Sequence, residues 1–466
     1  MDIGKLLNPV PNKRPRFVEN TLAYDEYWLP TELIALIISF FNFYYRPIFR
    51  LVSKKWYIAY EQYFRNKVFS DVLHVGCRGV TRKQLLGAFV KYGHRLNWMG
   101  IRTSTLREIL DAEPNFASLI PNIIWLYVAI DDGLSSRRWM GGFVVKLSSL
   151  RKLVVSEFGF TADEHLADEL DKAVAVMLRL ESVFMHDVDL DMDVFPGLHL
   201  KARASQIQRL VVSVVSIESG LVVSAFAVFK HVSRLGFRGI GSVDVLKEVT
   251  EMVIDEVNFP ALRILEVCSE LDLSHAAPTV NNDGSKVTAM DLYLKICGIR
   301  RPKFELCLGF ILGACSTTDL VLIEREREFV INLGHTSAEV LARLEITHYT
   351  PVGGYDPLTM LFYESAPRYP KLQFLYLHIS PTTVTGPRII EALNNPFLLP
   401  HFIHGYFYVD GTQLLEWNAN FDPIVPSRGI EVTVIETHHE DKVRMINETN
   451  NGVIPSMFLP DDPGNP

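Results

Sequence analysis

Residues 207–237 read IQRLVVSVVSIESGLVVSAFAVFKHVSRLGF, and their pattern decides the fold. The string IQRLVV has an apolar residue, two others, then a leucine heading a β-branched run, which suits a short strand. ESGLVVSAFAVFKHV then follows a helical pattern, and VSRLGF restates the strand motif 25 residues after the first. Working outward, the motif recurs as IIWLYV, LRKLVV, LESVFM, LRILEV, AMDLYL, TTDLVLI, LARLEI, LQFLYL and a weak LPHFIH. Its heading residues are Leu126, Leu153, Val183, Leu210, Leu235, Leu265, Leu292, Leu320, Leu344, Leu375 and Phe402, spaced by 24 to 31 residues, with an earlier repeat at Leu96. Helical patterns fall between, as in DEHLADELDKAVAVML (163–178), VDVLKEVTEMVIDEV (243–257) and GPRIIEAL (386–393). Pro196-Gly197, Pro260 and Pro370 mark turns before the next strand. One strand and one helix per repeat, at a near-constant period, predict a repeat array. An ordinary doubly wound α/β domain also alternates strands and helices, but seldom holds one period so long.

The pattern resembles a degenerate leucine-rich repeat. That resemblance implies an α/β fold, a parallel β/α solenoid or horseshoe with strands on its concave side and helices on its convex side. The family's turn-capping Asn or Cys, five residues past the heading Leu, is present only as Cys297; Phe158, Val215, Ile240, Glu270 and Tyr349 stand there in other repeats. The turns must therefore close differently. Strand alternation puts Leu153 and Val155 inward and their neighbours on the solvent side. Tyr127, Arg238, Glu266, Tyr293, Lys295, Glu345, Tyr376 and His378 are thus the candidate target-binding residues. Their Tyr, Arg and His content suits protein recognition. Val154, Val211 and Val321, at equivalent places, predict a partner-covered patch or a side loop folding over the face. The expected face shows no arginine cluster, which argues against reading phosphorylated targets.

Ahead of the repeats, LPTELIALIISFF (29–41) opens with Leu-Pro, tolerated at a helix start. Leu33, Leu36, Ile37 and Phe40 make one apolar helical face, and Ile34, Ile38 and Phe41 a second. A helix apolar on two sides needs cover on both, which points to a partner. IFRLVSKKWYIAYEQYF (48–64) adds another stripe through Ile48, Leu51, Val52 and Trp56. Together these segments resemble the F-box, a helical module that docks on the Skp-family adaptor of cullin–RING ubiquitin ligases. The resemblance implies adaptor contact at Leu29, Pro30, Leu33, Ile37, Val52 and Trp56. Pro47 departs from the family, falling where its members continue a helix.

Composition bounds the remaining possibilities. The chain has 466 residues, five cysteines and a net charge of −8. Few and odd-numbered cysteines fit reduced thiols and a cytoplasmic or nuclear setting. Residues 1–70 hold ten Lys and Arg against six Asp and Glu, so the docking segment is +4 and the rest −12. That balance gives no support to nucleic-acid binding. The longest apolar run, residues 33–45, is shorter than the roughly 20 residues of a membrane span. No G-x-x-x-x-G-K-[ST], H-E-x-x-H, C-x-x-C or G-x-S-x-G string occurs in the sequence. GFRGIG (236–241) is expected to be a turn after a strand, HHED (438–441) solvated surface, and Cys297, Cys307 and Cys315 buried packing. The sequon at Asn447 has meaning only with secretion.

The expected organisation is a flexible leader (1–27), an all-α F-box-like module (28–70), the repeat solenoid (71–446) and a disordered tail (447–466). The expected role is the substrate-recognition subunit of an SCF-type ubiquitin ligase, non-catalytic, with no cofactor, metal, nucleic acid or membrane partner. A repeat scaffold unconnected with ubiquitin ligases is the alternative.

Overall fold

The computed structural model describes residues 33–34, 52–59, 73–75, 86–87, 89–90, 93–130, 142–157, 171–174, 177–186, 197–214, 217, 219–281, 283–312, 319–349, 360–365, 368–379, 391–393, 395–410 and 431–437. The expected leader and tail lie outside these residues, as does HHED. The chain divides into two compact units, one of residues 1–154 with 176–179, the other of residues 155–175 with 180–466.

In the first unit, Leu33 and Ile34 are helical, with Ile34 buried. Ile48 and Leu51 lie outside the described residues; helix α1 (Lys54–Ala59) starts after Val52, so the stripe through Val52 and Trp56 is not one continuous helix. Val52 is in a turn. The Ser53 hydroxyl accepts from Trp56 N at 3.4 Å and the Ser53 carbonyl from Tyr57 N at 2.9 Å. A serine that satisfies these amides starts the helix locally.

Strands β1 (Leu73–Val75), β2 (Trp98–Arg102) and β3 (Trp125–Ile130) pair in parallel, with Leu73 beside Met99 and Met99 beside Leu126. Helices α2 (Thr103–Ala112) and α3 (Phe116–Leu119) connect β2 to β3. Phe116 meets Phe89 edge-on at 4.7 Å and stacks on Phe143 at 5.9 Å, a core contact typical of aromatic pairs. Strand β4 (Lys152–Glu157) crosses the border of the two units.

The second unit contains β5 (Ser182–His186), β6 (Arg209–Ser213), β7 (Arg234–Ile240), β8 (Ile264–Asp272), a small antiparallel hairpin β9 (Thr279–Val280) and β10 (Lys286–Val287), then β11 (Glu305–Ile311), β12 (Leu341–Tyr349), β13 (Phe374–Ile379), β14 (His404–Asp410) and β15 (Glu431–Thr437). The hairpin aside, each strand lies parallel to its neighbours in chain order. Among the described residues, the helices between these strands include α4 (Leu198–Ala202), α5 (Val222–Phe226), α6 (Val243–Ile254), α7 (Ala289–Cys297) and α8 (Leu320–Ser337), with a π-helical stretch at Met360–Ser365 between β12 and β13. Neighbouring helices from α5 to α8 pack on one another.

Leucines in register line the helix-facing side, with Val183 beside Leu210, Leu210 beside Leu235, Leu235 beside Leu265 and Leu265 beside Leu306. Phe237 meets Phe226 of α5, while Phe310 meets Tyr293 of α7 and Phe329 of α8.

Two expected strands are helices. Leu292 lies within α7 and Leu320 begins α8. Thr288 and Asp291 form a reciprocal capping box at the start of α7, and the Asp319 carboxylate accepts from Val321 N at the start of α8. The strand that belongs here is β11, read from the sequence only as a setting for buried cysteines. The period slips because the β9–β10 hairpin lengthens this repeat: the register partners Leu265 and Leu306 are 41 residues apart. Cys297 accordingly ends a helix rather than capping a strand turn. Phe402 precedes β14, in which Gly405 is the register partner of Leu375. GFRGIG lies mostly inside β7. Gly236 belongs there because a Cβ would approach Val211 Cγ1 to 2.9 Å.

The missing turn ladder has a backbone replacement. The Gln208 carbonyl accepts from both Ser233 N at 2.6 Å and Arg234 N at 3.2 Å. Glu181 serves residues 208 and 209 in the same way, and Ser233 serves residues 263 and 264. In the first unit Asn97 serves residues 124 and 125, and Ile124 serves residues 151 and 152. Ahead of these strands one carbonyl thus holds two amides of the next repeat.

Candidate functional site

Residues on the side of the second unit's strands away from the described helices alternate with the leucine rows. Arg234, Gly236 and Arg238 stand there on β7, Glu266 and Cys268 on β8, Cys307 and Gly309 on β11, Arg343 and Glu345 on β12, and Tyr376 on β13. The small residues make room for long side chains to lie flat. Arg238 Nε donates to Glu266 Oε1 at 2.6 Å, and its Nη2 reaches past Cys268 and Gly309 to Glu345 Oε2 at 3.4 Å. Arg234 Nη2 donates to Glu266 Oε2 at 3.2 Å. Arg343 reaches back across β11, with Nη1 3.5 Å from Glu266 Oε1 and Nη2 2.8 Å from Glu345 Oε2. Its guanidinium also stacks 4.6 Å from the Tyr376 ring centre. Gly309 is required, since a Cβ would fall 2.7 Å from Cys268 Sγ.

Electrostatics in this lattice are those of a desolvated network. Burial and the neighbouring Arg238 push the Arg343 pKa down, but Glu266, Tyr376 and Glu345 outweigh them and it is raised. Arg343 is therefore a fixed cation. Burial pushes the Cys307 thiol up to about 11 and the Cys297 thiol up to about 12. Both are protonated packing groups near neutral pH, with none of the thiolate character that nucleophiles need.

The structure brings Arg238, Glu266, Glu345 and Tyr376 together, as alternation predicts. It differs on their exposure: Glu266 and Tyr376 are fully buried, Arg238 nearly so, and Glu345 partly. Each side chain lies along the sheet against its neighbours instead of standing into solvent. Tyr127, on β3 of the first unit, is also buried, as are Val154 and Val211. Tyr293 and Lys295 are corrected to helix α7. Tyr293 is buried, and its hydroxyl donates to the Gly309 carbonyl at 2.7 Å and contacts Ser269 Oγ at 3.0 Å, while Lys295 is exposed. Val321 is exposed on α8. His378 is in β13, with its side chain outside the described residues.

Arg234 and Arg343 were missed by the sequence reading. Both have the right alternation parity, four residues before Arg238 and two before Glu345, so counting by twos along the strands would have found them. The expectation of no arginine cluster is corrected: three arginines converge here, each bonded to a carboxylate.

In the first unit, Leu33 is 45% exposed and Val52 57%, while Trp56 is half-buried. Leu29, Pro30 and Ile37 lie outside the described residues, as does Pro47. Large apolar side chains left open on a helix and the turn before another are available to a partner.

Among the described residues, no group of three or more His, Cys, Asp or Glu is placed to hold a metal, and no helix is long and apolar enough to cross a membrane. No curated protein matches the chain. A chain of the yeast Rad7–Elc1 complex is similar at 13% identity and TM-score 0.36, covering 88% of this chain and 94% of that one. A chain of the TLR13–ssRNA13 complex is similar at 11% identity and TM-score 0.28, covering 80% of this chain and 52% of that one. Both scores are too low to establish a shared fold. Residues 27–59, which include Leu33, Val52 and Trp56, match the F-box domain, and the chain therefore carries an F-box.

Proposed function

We propose that the chain is a non-catalytic substrate receptor of an SCF-type ubiquitin ligase. The observation that carries this reading is the F-box match at residues 27–59, supported by the exposed apolar Leu33 and Val52 within it. The F-box docks on a Skp-family adaptor, and through it on a cullin–RING ligase in the cytoplasm or nucleus. The repeats form a leucine-rich-repeat-like solenoid that binds the target protein. The regular parallel strand order, with one helix between most neighbours, supports that part of the reading. The receptor makes no covalent bond. It raises the effective concentration of a target lysine near a charged ubiquitin-conjugating enzyme, turning an encounter into a tethered reaction.

The test is co-purification with a Skp-family adaptor. Leu33→Asp combined with Val52→Asp should abolish adaptor capture without unfolding the chain, because both side chains are exposed. Undiminished capture by the double variant sinks the receptor reading and leaves a repeat scaffold.

A further inference from the structure

The turns that lead into β7, β8, β11, β12, β13 and β14 carry a charge opposite to that of the chain. Residues 227–233, 255–263, 298–304, 338–340, 368–373 and 395–403 hold seven Lys and Arg against three Asp and Glu, in a chain of net charge −8. Because these strands are parallel and in chain order, the turns lie along one edge of the sheet. Backbone bonds tie them side by side: Arg263 N donates to Ser233 O at 2.8 Å, Glu305 N to Arg263 O at 2.7 Å and Ile403 N to Gln373 O at 2.9 Å. At about 4.8 Å per strand, the edge runs about 24 Å. Lys230, Arg263, Lys303 and Arg368 are exposed along it. Arg300, Arg301 and Lys371 donate to backbone carbonyls, which hold the side chains without cancelling their charge. Of the acids, Asp255 and Glu256 act on Arg301.

Two further features mark this edge. Among the described residues, Lys303 alone of the non-glycines has a positive φ, 57°. Phe304 N donates to Arg301 O at 3.2 Å, so Pro302 and Lys303 are the corners of a turn whose second corner favours glycine. A lysine there accepts backbone strain that glycine would avoid, an outlier that points to a use for its charge. The same turns also leave apolar side chains in water: Val228 is 44% exposed, Val257 74%, Phe397 83% and Ile403 49%. Two equivalent turns present the most open of these, with the Asp255 side chain accepting from Val257 N and that of Asn395 from Phe397 N. A nucleic acid would use the basic groups but gain no stacking from three aliphatic side chains. An acidic protein segment that also carries apolar residues uses both.

We propose that this strand-entry edge binds an acidic segment of a target protein, its carboxylates on Lys230, Arg263 and Lys303 and its apolar side chains on Val257 and Phe397. As a target site it rests on the receptor reading; the binding itself needs no adaptor.

Fluorescence anisotropy with the full chain, without adaptor, tests it. The probes are a labelled peptide of Glu-Glu-Leu repeats about nine residues long, about 30 Å when extended, and an oligothymidylate of equal charge. Saturable peptide binding that weakens with added salt is expected. Lys230→Gln combined with Lys303→Gly should weaken it at least about tenfold, and Phe397→Ser at least about threefold. Lys303→Gly relieves the turn and Phe397→Ser removes an exposed ring, so these variants keep the fold. Adaptor capture, measured separately, decides the receptor reading, and its failure leaves peptide binding at the edge in place. No saturable peptide binding, tighter binding of the oligothymidylate, or equal binding by wild type and the lysine variant overturns the proposal. Loss with the lysines but not with Phe397→Ser overturns it too, because that is attraction of any polyanion.

Discussion

Glu266 is the residue on which the lattice turns, because three guanidiniums lie within ion-pair distance of its carboxylate and it has no water contact. Removing one partner of a buried ion pair leaves the others uncompensated, which costs about 3–5 kcal/mol. Glu266→Gln should lower unfolding stability by that order in urea titrations, with the slope unchanged. Glu345→Gln should cost less, since its side chain is 21% exposed and water can replace part of what it gives. The thiols respond differently. An unfolded cysteine ionises near 9, and the folded Cys297 is held up to about 12. The folded state therefore keeps its proton where the unfolded state loses it. The stability this contributes is complete below pH 9 and is lost as pH rises toward 12. Stability curves should fall across that window, and a thiol reagent at pH 8 should label Cys297 and Cys307 only in denaturant.

At the scale of elements, charged groups fasten helix ends to neighbouring repeats. The Asp171 carboxylate accepts from His199 N and Leu200 N at the start of α4, and Glu248 of α6 accepts from Gly220 N and Val222 N at the start of α5. At the other ends, Arg301 donates to Val253 O at the end of α6, and Arg300 donates to Cys297 O at the end of α7 and to Thr336 O at the end of α8. Acids at helix starts and bases at helix ends also suit the macrodipole. Ser242 caps α6 through Val245 N, so Ser242→Ala should cost about 1 kcal/mol in thermal unfolding. Gly334, mid-helix in α8, behaves contrary to propensity. Alanine there should gain up to about 1 kcal/mol in helix preference. Its Cβ would collide with Ser365 and lie 2.7 Å from Tyr369 Oη, and overpacking costs about 1–3 kcal/mol. Gly334→Ala is therefore expected to be net destabilising.

For the whole molecule, the F-box match ends before the first described strand, β1, which among the described residues pairs with β2. Deleting residues 1–70 should abolish adaptor capture while target proteins still co-purify, and quantitative co-purification of both forms measures this. Loss of every partner on truncation would instead mean that the repeats need the N-terminal segment to fold.

The sequence by itself determined the strand-and-helix alternation and the F-box motif, while the parallel order came only from the resemblance to leucine-rich repeats. The alternation and the motif rest on hydrophobic periodicity and local spacing, which are written residue by residue in LRILEV or LPTELIALIISFF. The capping box at Thr288 and Asp291 was equally local; reading it would have turned the strand expected at Leu292 into a helix and exposed β11 as the missing strand. Tertiary structure alone decided the rest. Arg238 and Glu345 are 107 residues apart in sequence and meet only because β8 and β11 place Cys268 and Gly309 between them. Whether an alternating side chain stands into solvent or lies down against its neighbours depends on the size of residues two strands away. Periodicity along one strand does not contain that information.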